Sequence, residues 1–116
     1  MKAPLLIFTI FLFVSCTMSP KKGTNDPMFN GEFLYLSNAA VLNTGSEIYG
    51  VVIDEKMHEL HEFCSPFKRD EYDMIQVYIK GVITDNPEED GWEKIIRITA
   101  IDSIANPVDR SIIKPN

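Results

Sequence analysis

Met74-Ile75-Gln76-Val77-Tyr78-Ile79-Lys80-Gly81-Val82-Ile83 is the stretch whose pattern decides the class of this fold. Ile75, Val77, Ile79 and Ile83 point one way, while Gln76, Tyr78 and Lys80 point the other. A period of two is the mark of a strand buried on one face. β-Branched residues at this density fit a pleated surface. Gly81 inside the run marks a bulge or a sharp corner, where a sheet bends.

Working outward, Asp85-Asn86-Pro87-Glu88-Glu89-Asp90-Gly91 reads as a turn loop. Residues 92–101 form a second long strand, with Ile96, Ile98 and Ala100 expected inward. The tail, 102–116, carries two prolines and Ile112-Ile113, a pair expected to close one end of the core. Upstream, residues 47–53 read as a strand with Tyr49, Val51 and Ile53 on one face, after a turn at 43–46. Residues 31–42 read as one long strand that bends at Ala39-Ala40 and forms a hairpin with 47–53. Residues 54–65 admit two readings. Met57, Leu60, His61 and Cys64 fall at i, i+3, i+4 and i+7, one face of a helix capped by Asp54 and ended by Ser65-Pro66. As a strand, 57–63 places His58, Leu60 and Glu62 on one side. Five strand-like segments with a glycine corner predict a mainly β, five-stranded OB-like barrel, with one short helix near residues 55–64 on the first reading. An open antiparallel sheet with one helix is the alternative.

The N-terminus has its own logic. Lys2 precedes an apolar run from Leu5 to Val14, about 15 Å long as a helix and so short of the roughly 30 Å hydrocarbon core. The run ends on Ser15 and then Cys16. This junction resembles the lipobox of bacterial lipoproteins, although Phe13 stands where leucine is commonest. The resemblance implies a signal peptide over 1–15, an acylated (palmitate-bearing) Cys16, a tether over 16–30 and a folded domain over 31–116. An ordinary cleaved signal peptide and a membrane anchor are the other readings. Thr17, where retained inner-membrane lipoproteins carry Asp, points to the outer membrane. Lys21-Lys22 has the wrong sign for surface export, so the domain is expected to face the periplasm.

The chain carries a formal charge of −6; removal of residues 1–15 takes Lys2 and leaves 10 basic against 17 acidic residues, or −7. An acidic domain repels phosphate backbones, so nucleic acid is an unsuitable partner. It is repelled by anionic lipid as well, so acyl chains must hold it at the bilayer. Acylation of Cys16 leaves Cys64 without a partner in the chain, buried and inert on the plainest reading.

Gly31, Phe33, Tyr35 and Ala39-Ala40, then Gly45, Tyr49-Gly50-Val51, Leu60-His61-Glu62 and Val77-Tyr78-Ile79-Lys80-Gly81, follow one another in an order that resembles the C-terminal OB domain of NlpE-type envelope lipoproteins. The likeness spans residues 31–104. It implies an OB barrel on a lipid anchor, and it places Leu60-His61-Glu62 on a strand. The Cys-x-x-Cys pair of those lipoproteins' other domain has no counterpart here.

One cluster carries recognisable chemistry. His58, His61 and Cys64, with Met57 beside them, offer imidazole, thiolate and thioether to a Cu(I) or Zn(II) ion. On a helix these donors crowd one face; on a strand His61 leaves the others; the plain alternative has Cys64 and Leu60 in the core. No Gly-x-Ser-x-Gly elbow, phosphate loop or dinucleotide fingerprint supports an enzyme, and the acidic 88–90 run lacks EF-hand spacing. Tyr35, Tyr78 and Trp92 are candidates for an aromatic contact surface with a protein partner. The expectation is a non-catalytic envelope interaction or stress-sensing module with no resident cofactor. A metal-handling lipoprotein is the rival, and an inhibitor inserting the 85–91 loop into a cleft is a third reading.

Overall fold

Ser37 and Asn38 take positive φ values of 49° and 68° in the computed structural model, which describes residues 25–115. Two successive left-handed residues make the tight two-residue hairpin turn, whose twist matches that of the strands. Asn tolerates that region better than most residues. The chain therefore reverses here, and residues 31–42 are not one bending strand. They contribute to two: β1 (Met28–Leu36) and β2 (Ala39–Asn43), antiparallel with Leu36 opposite Ala39. β1 begins at Met28, ahead of Gly31, because Met28 already pairs with Lys80.

Gly45, with φ +96°, turns the chain into β3 (Ile48–Val51), and its N–H donates to Asn43 Oδ1 at 2.9 Å. Ile53 lies beyond the strand and is 42% exposed, so the expected inward face stops at Val51. β4 (Ile75–Asp85) pairs with β1 on one side and with β5 (Lys94–Ala105) on the other. β3 then pairs in parallel with β5, through Gly50↔Ile95 and Val51↔Ile96. The order β3-β2-β1-β4-β5 thus returns to β3 as a closed, five-stranded OB-like barrel with a short β6 (Ile112–Ile113) added to β5 outside the ring.

Closure requires sharp bending, and β5 supplies it. Thr99 and Asp102 are skipped in the pairing with β4, so two residues bulge from one strand. The inward series becomes Ile96, Ile98, then Ile101 and Ile104. Ala100, expected inward, lands opposite Lys80 on the outer row because the Thr99 bulge shifts the phase. Gly81 sits at the corner its sequence context indicated: a Cβ there would lie 2.7 Å from the Arg97 carbonyl oxygen.

Residues 54–65 are helical. α1 (Glu55–Cys64) starts where the Asp54 side chain accepts from the Met57 N–H at 3.0 Å, and it ends where the Ser65 hydroxyl donates to the His61 carbonyl at 2.9 Å. The strand that the NlpE likeness implied at Leu60-His61-Glu62 is absent. A cap at each end and apolar residues three and four apart outweigh any alternation. Met57, Leu60 and Cys64 plug the barrel beneath Leu42, Val77, Ile79 and Ile96. A 3-10 turn (Ser65–Phe67) follows, and Arg69 grips Asp73 through two side-chain hydrogen bonds of 2.9 Å. That grip, with the Arg69 N–H, holds the Asp73 carboxyl down at about 2. Among the described residues no helix is long and apolar enough to cross a membrane.

Gly31 marks the tightest approach of β1 to β2. A Cβ there would stand 2.5 Å from the Asn43 carbonyl oxygen, which is backbone and cannot step aside. Gly31→Ala is expected to destabilise the domain by about 1–3 kcal/mol, read as a lower urea midpoint at unchanged m-value.

Candidate functional site

The residues named from sequence are scattered by the fold. Cys16 lies outside the described residues. His58 is exposed and His61 half-buried on α1, and both lie edge-on to the Tyr35 ring, at centroid distances of 5.3 and 5.1 Å. Cys64, on the same helix, points into the core at 1% exposure, and burial pushes its thiol up to about 12. The helical face that groups Met57, His61 and Cys64 is thus the packed face of the plug. Among the described residues no three His, Cys, Asp or Glu side chains are placed to hold a metal ion. The histidines cover the end of β1 instead. Burial, chiefly, with Lys68 and His58 nearby, lowers the affinity of His61 for a proton.

The three aromatics do not share a surface either. Tyr35 has the parity of the buried Phe33 and packs inward under α1. Tyr78 has the opposite parity to Val77 and Ile79 and stands on the outer face, across from Asn30. Trp92 lies in the β4–β5 loop, 44% exposed. Only Trp92 belongs to the surface described next.

The cross-strand register places Leu34 beside Val41, Val41 beside Gly50, and Gly50 beside Ile95. All four have the parity opposite to the core residues Phe33, Leu42, Val51 and Ile96. They make one apolar row across the outside of β1, β2, β3 and β5. Leu36 and Ala39 extend it at one end and Ile48, 39% exposed, at another. Trp92 rests on this row. A Cβ at Gly50 would stand 3.2 Å from Trp92 Cδ1 and 3.3 Å from Ile95 Cγ2, so the missing side chain is the seat of the indole. Large apolar groups on the outward face of a sheet are informative where scattered single ones are not. The signal in the sequence was the failure of alternation at Phe33-Leu34-Tyr35-Leu36 and Ile95-Ile96; a strand apolar on both sides has something to cover on both.

Acidic groups edge the row. Residues 86–93 are held in shape by Asn86, whose amide donates to the carbonyls of Trp92 (2.8 Å) and Asp90 (3.2 Å) and whose Oδ1 accepts from the Glu88 N–H at 3.0 Å. Gly91, with φ +94°, completes the turn. Glu88, Glu89, Asp90 and Glu93 are thereby presented in solvent next to Trp92. At the base, Lys94 pairs with Asp85 at 2.6 Å, and the Tyr49 hydroxyl donates to Glu47 at 2.8 Å. The lysine is held charged by Asp85 and lies near Glu47 and Glu93.

Two outcomes follow from the plug. In the Cys16→Ala chain, Cys64 is the only thiol, and it is expected to resist a thiol reagent until urea unfolds the domain; rapid labelling of folded protein would contradict its burial. His61 binds a proton less readily folded than unfolded, so its contribution to stability is complete above the ordinary histidine value of 6.5 and is lost as pH falls through its lowered folded value. The urea midpoint is therefore expected to fall as the pH drops below about 6.5, and His61→Gln is expected to flatten that fall.

No protein-family model, no curated protein sequence and no solved structure matches this chain significantly.

Proposed function

We propose that this chain is an outer-membrane lipoprotein of the bacterial envelope whose OB-like barrel is a non-catalytic docking module facing the periplasm. The observation that carries this reading is the outward apolar row seated around Trp92 and edged by carboxylates. Protein interfaces are built that way, with an aromatic or aliphatic centre that is fully dried on contact and a polar rim. The rim chemistry selects the partner: a protein with an apolar patch bordered by Lys or Arg. The formal charge, −7 once residues 1–15 are removed, speeds encounter with such a surface and disfavours nucleic acid.

The leader and Cys16 support the anchoring half of the proposal. Acyl chains on Cys16 confine the barrel to a thin layer, so a modest contact gains effective concentration without any further contact area. A mechanism of tethered capture follows, with no bond made or broken.

A photo-crosslinking amino acid at position 48 of the full-length chain, expressed in a diderm bacterium, tests the docking surface. Crosslinks to a defined protein are expected from position 48 and not from position 108, which is exposed outside the row. Trp92→Ala is expected to reduce the yield at least about tenfold, as loss of a central aromatic anchor does. Equal yields from both positions would overturn the docking surface. Palmitate labelling that persists in Cys16→Ala, or crosslinking unchanged by that substitution, would overturn the tether.

A further inference from the structure

Next to the apolar row, the same register sets a second group of side chains on the outside of the barrel. Glu32 stands between Gln76 on β4 and Asn43 on β2, and Asn30 stands opposite Tyr78. All have the outward parity of their strands. Asn30, Glu32, Asn43, Thr44 and Gln76 line a shallow depression of about 210 Å3, with Gly31 in its floor. Drug-sized pockets run to about 300–1,000 Å3 and are mostly apolar; this one is small and polar.

The hydrogen-bonding inventory is specific. Asn43 Oδ1 accepts from the Gly45 N–H at 2.9 Å, which leaves its NH2 group as the donor. Gln76 Nε2 lies 3.5 Å from Asn30 Oδ1, leaving the Asn30 NH2 as donor and Gln76 Oε1 as acceptor. Glu32 is exposed and has no hydrogen bond or ion pair to a described residue, so among those residues its carboxylate is an unused acceptor. The depression therefore offers donors on Asn30 and Asn43 and acceptors on Glu32 and Gln76. A single carboxylate with three side-chain amides is a poor donor set for a divalent cation, which favours several charged oxygens, and a phosphate would face Glu32 with no lysine or arginine among the described residues lining the depression. Neutral hydroxyl groups, each both donor and acceptor, satisfy the set. The Tyr78 ring beside Asn30 adds an aromatic face with a polar tip.

We propose that this depression is a binding site for a neutral saccharide, one ring seated among Asn30, Glu32, Asn43 and Gln76 and the next running over Tyr78. The site does not depend on the docking surface around Trp92.

The experiment is an NMR titration of the full-length chain in detergent micelles with cellotetraose, maltotetraose and chitotetraose as probes. At least one is expected to produce saturable shifts in the side-chain amide signals of Asn30, Asn43 and Gln76, with a Kd of about 1 mM. Gln76→Ala and Tyr78→Ala are each expected to weaken that binding at least tenfold while the remaining spectrum holds, and Tyr78→Ala is expected to leave crosslinking from position 48 intact. Three results would overturn the proposal: no saturable shift from any probe by about 20 mM, affinity unchanged in both variants, or shifts centred on Trp92.

Discussion

Everything in this molecule depends on a short parallel contact. β3 and β5 meet through Gly50↔Ile95 and Val51↔Ile96, reinforced by the Val52 N–H donating to the Ile96 carbonyl at 2.9 Å. Without it, the sheet β3-β2-β1-β4-β5 would be open, with two unpaired edges inviting other chains. With it, the outward row Leu34, Val41, Gly50 continues onto Ile95, since β3 and β5 would otherwise be opposite ends of the sheet. The cost of closing falls on β5, which must bend twice, at Thr99 and Asp102, to reach β3 with one end and β6 with the other. A domain this small has a single core to spend on such bending, and ten of its largest buried side chains are committed to it.

α1 completes the enclosure. A barrel closed around its wall still has open ends, and the helix between β3 and β4 fills one with Met57, Leu60 and Cys64. Tyr35 reaches from β1 to meet the two histidines of that helix. Cys64 is therefore committed to the core and the two histidines to the Tyr35 ring, while the carboxylates of the β4–β5 loop and the outward apolar row lie on the outside of the barrel. Division of labour between inside and outside runs strand by strand, set by parity.

Much of the barrel was legible because it is written locally. The alternation of residues 75–80, the corner at Gly81 and the i, i+3, i+4, i+7 spacing of Met57, Leu60, His61 and Cys64 each need only a few neighbouring residues to be read. What escaped was long-range or hinged on a single turn. Ser37-Asn38 contains no glycine, so a two-residue reversal looked like a strand that bends. A bulge at Thr99 moved Ala100 outward, and no property of Ala100 announces it. Helical periodicity correctly put His61 and Cys64 on one face but could not say that this face looks into the core. The outer row joins residues from 34 to 95 through three separate ladders, and the polar depression joins β1, β2 and β4; neither exists until the register does. Tyr35, Tyr78 and Trp92 look alike in sequence and occupy three different environments.

The two connections at the ends of this surface differ in what they allow to change. β1 and β2 are joined by two residues in a conformation few side chains tolerate, so their junction is fixed. β4 and β5 are joined by residues 86–93, an exposed loop whose shape rests on Asn86 and Gly91 and which meets the barrel wall through Trp92 at Gly50. Doubling the length of such a loop costs only about 0.6 kcal/mol. The loop between Asp85 and Lys94 is therefore a permissive place for insertion or grafting, with the closed barrel as its frame.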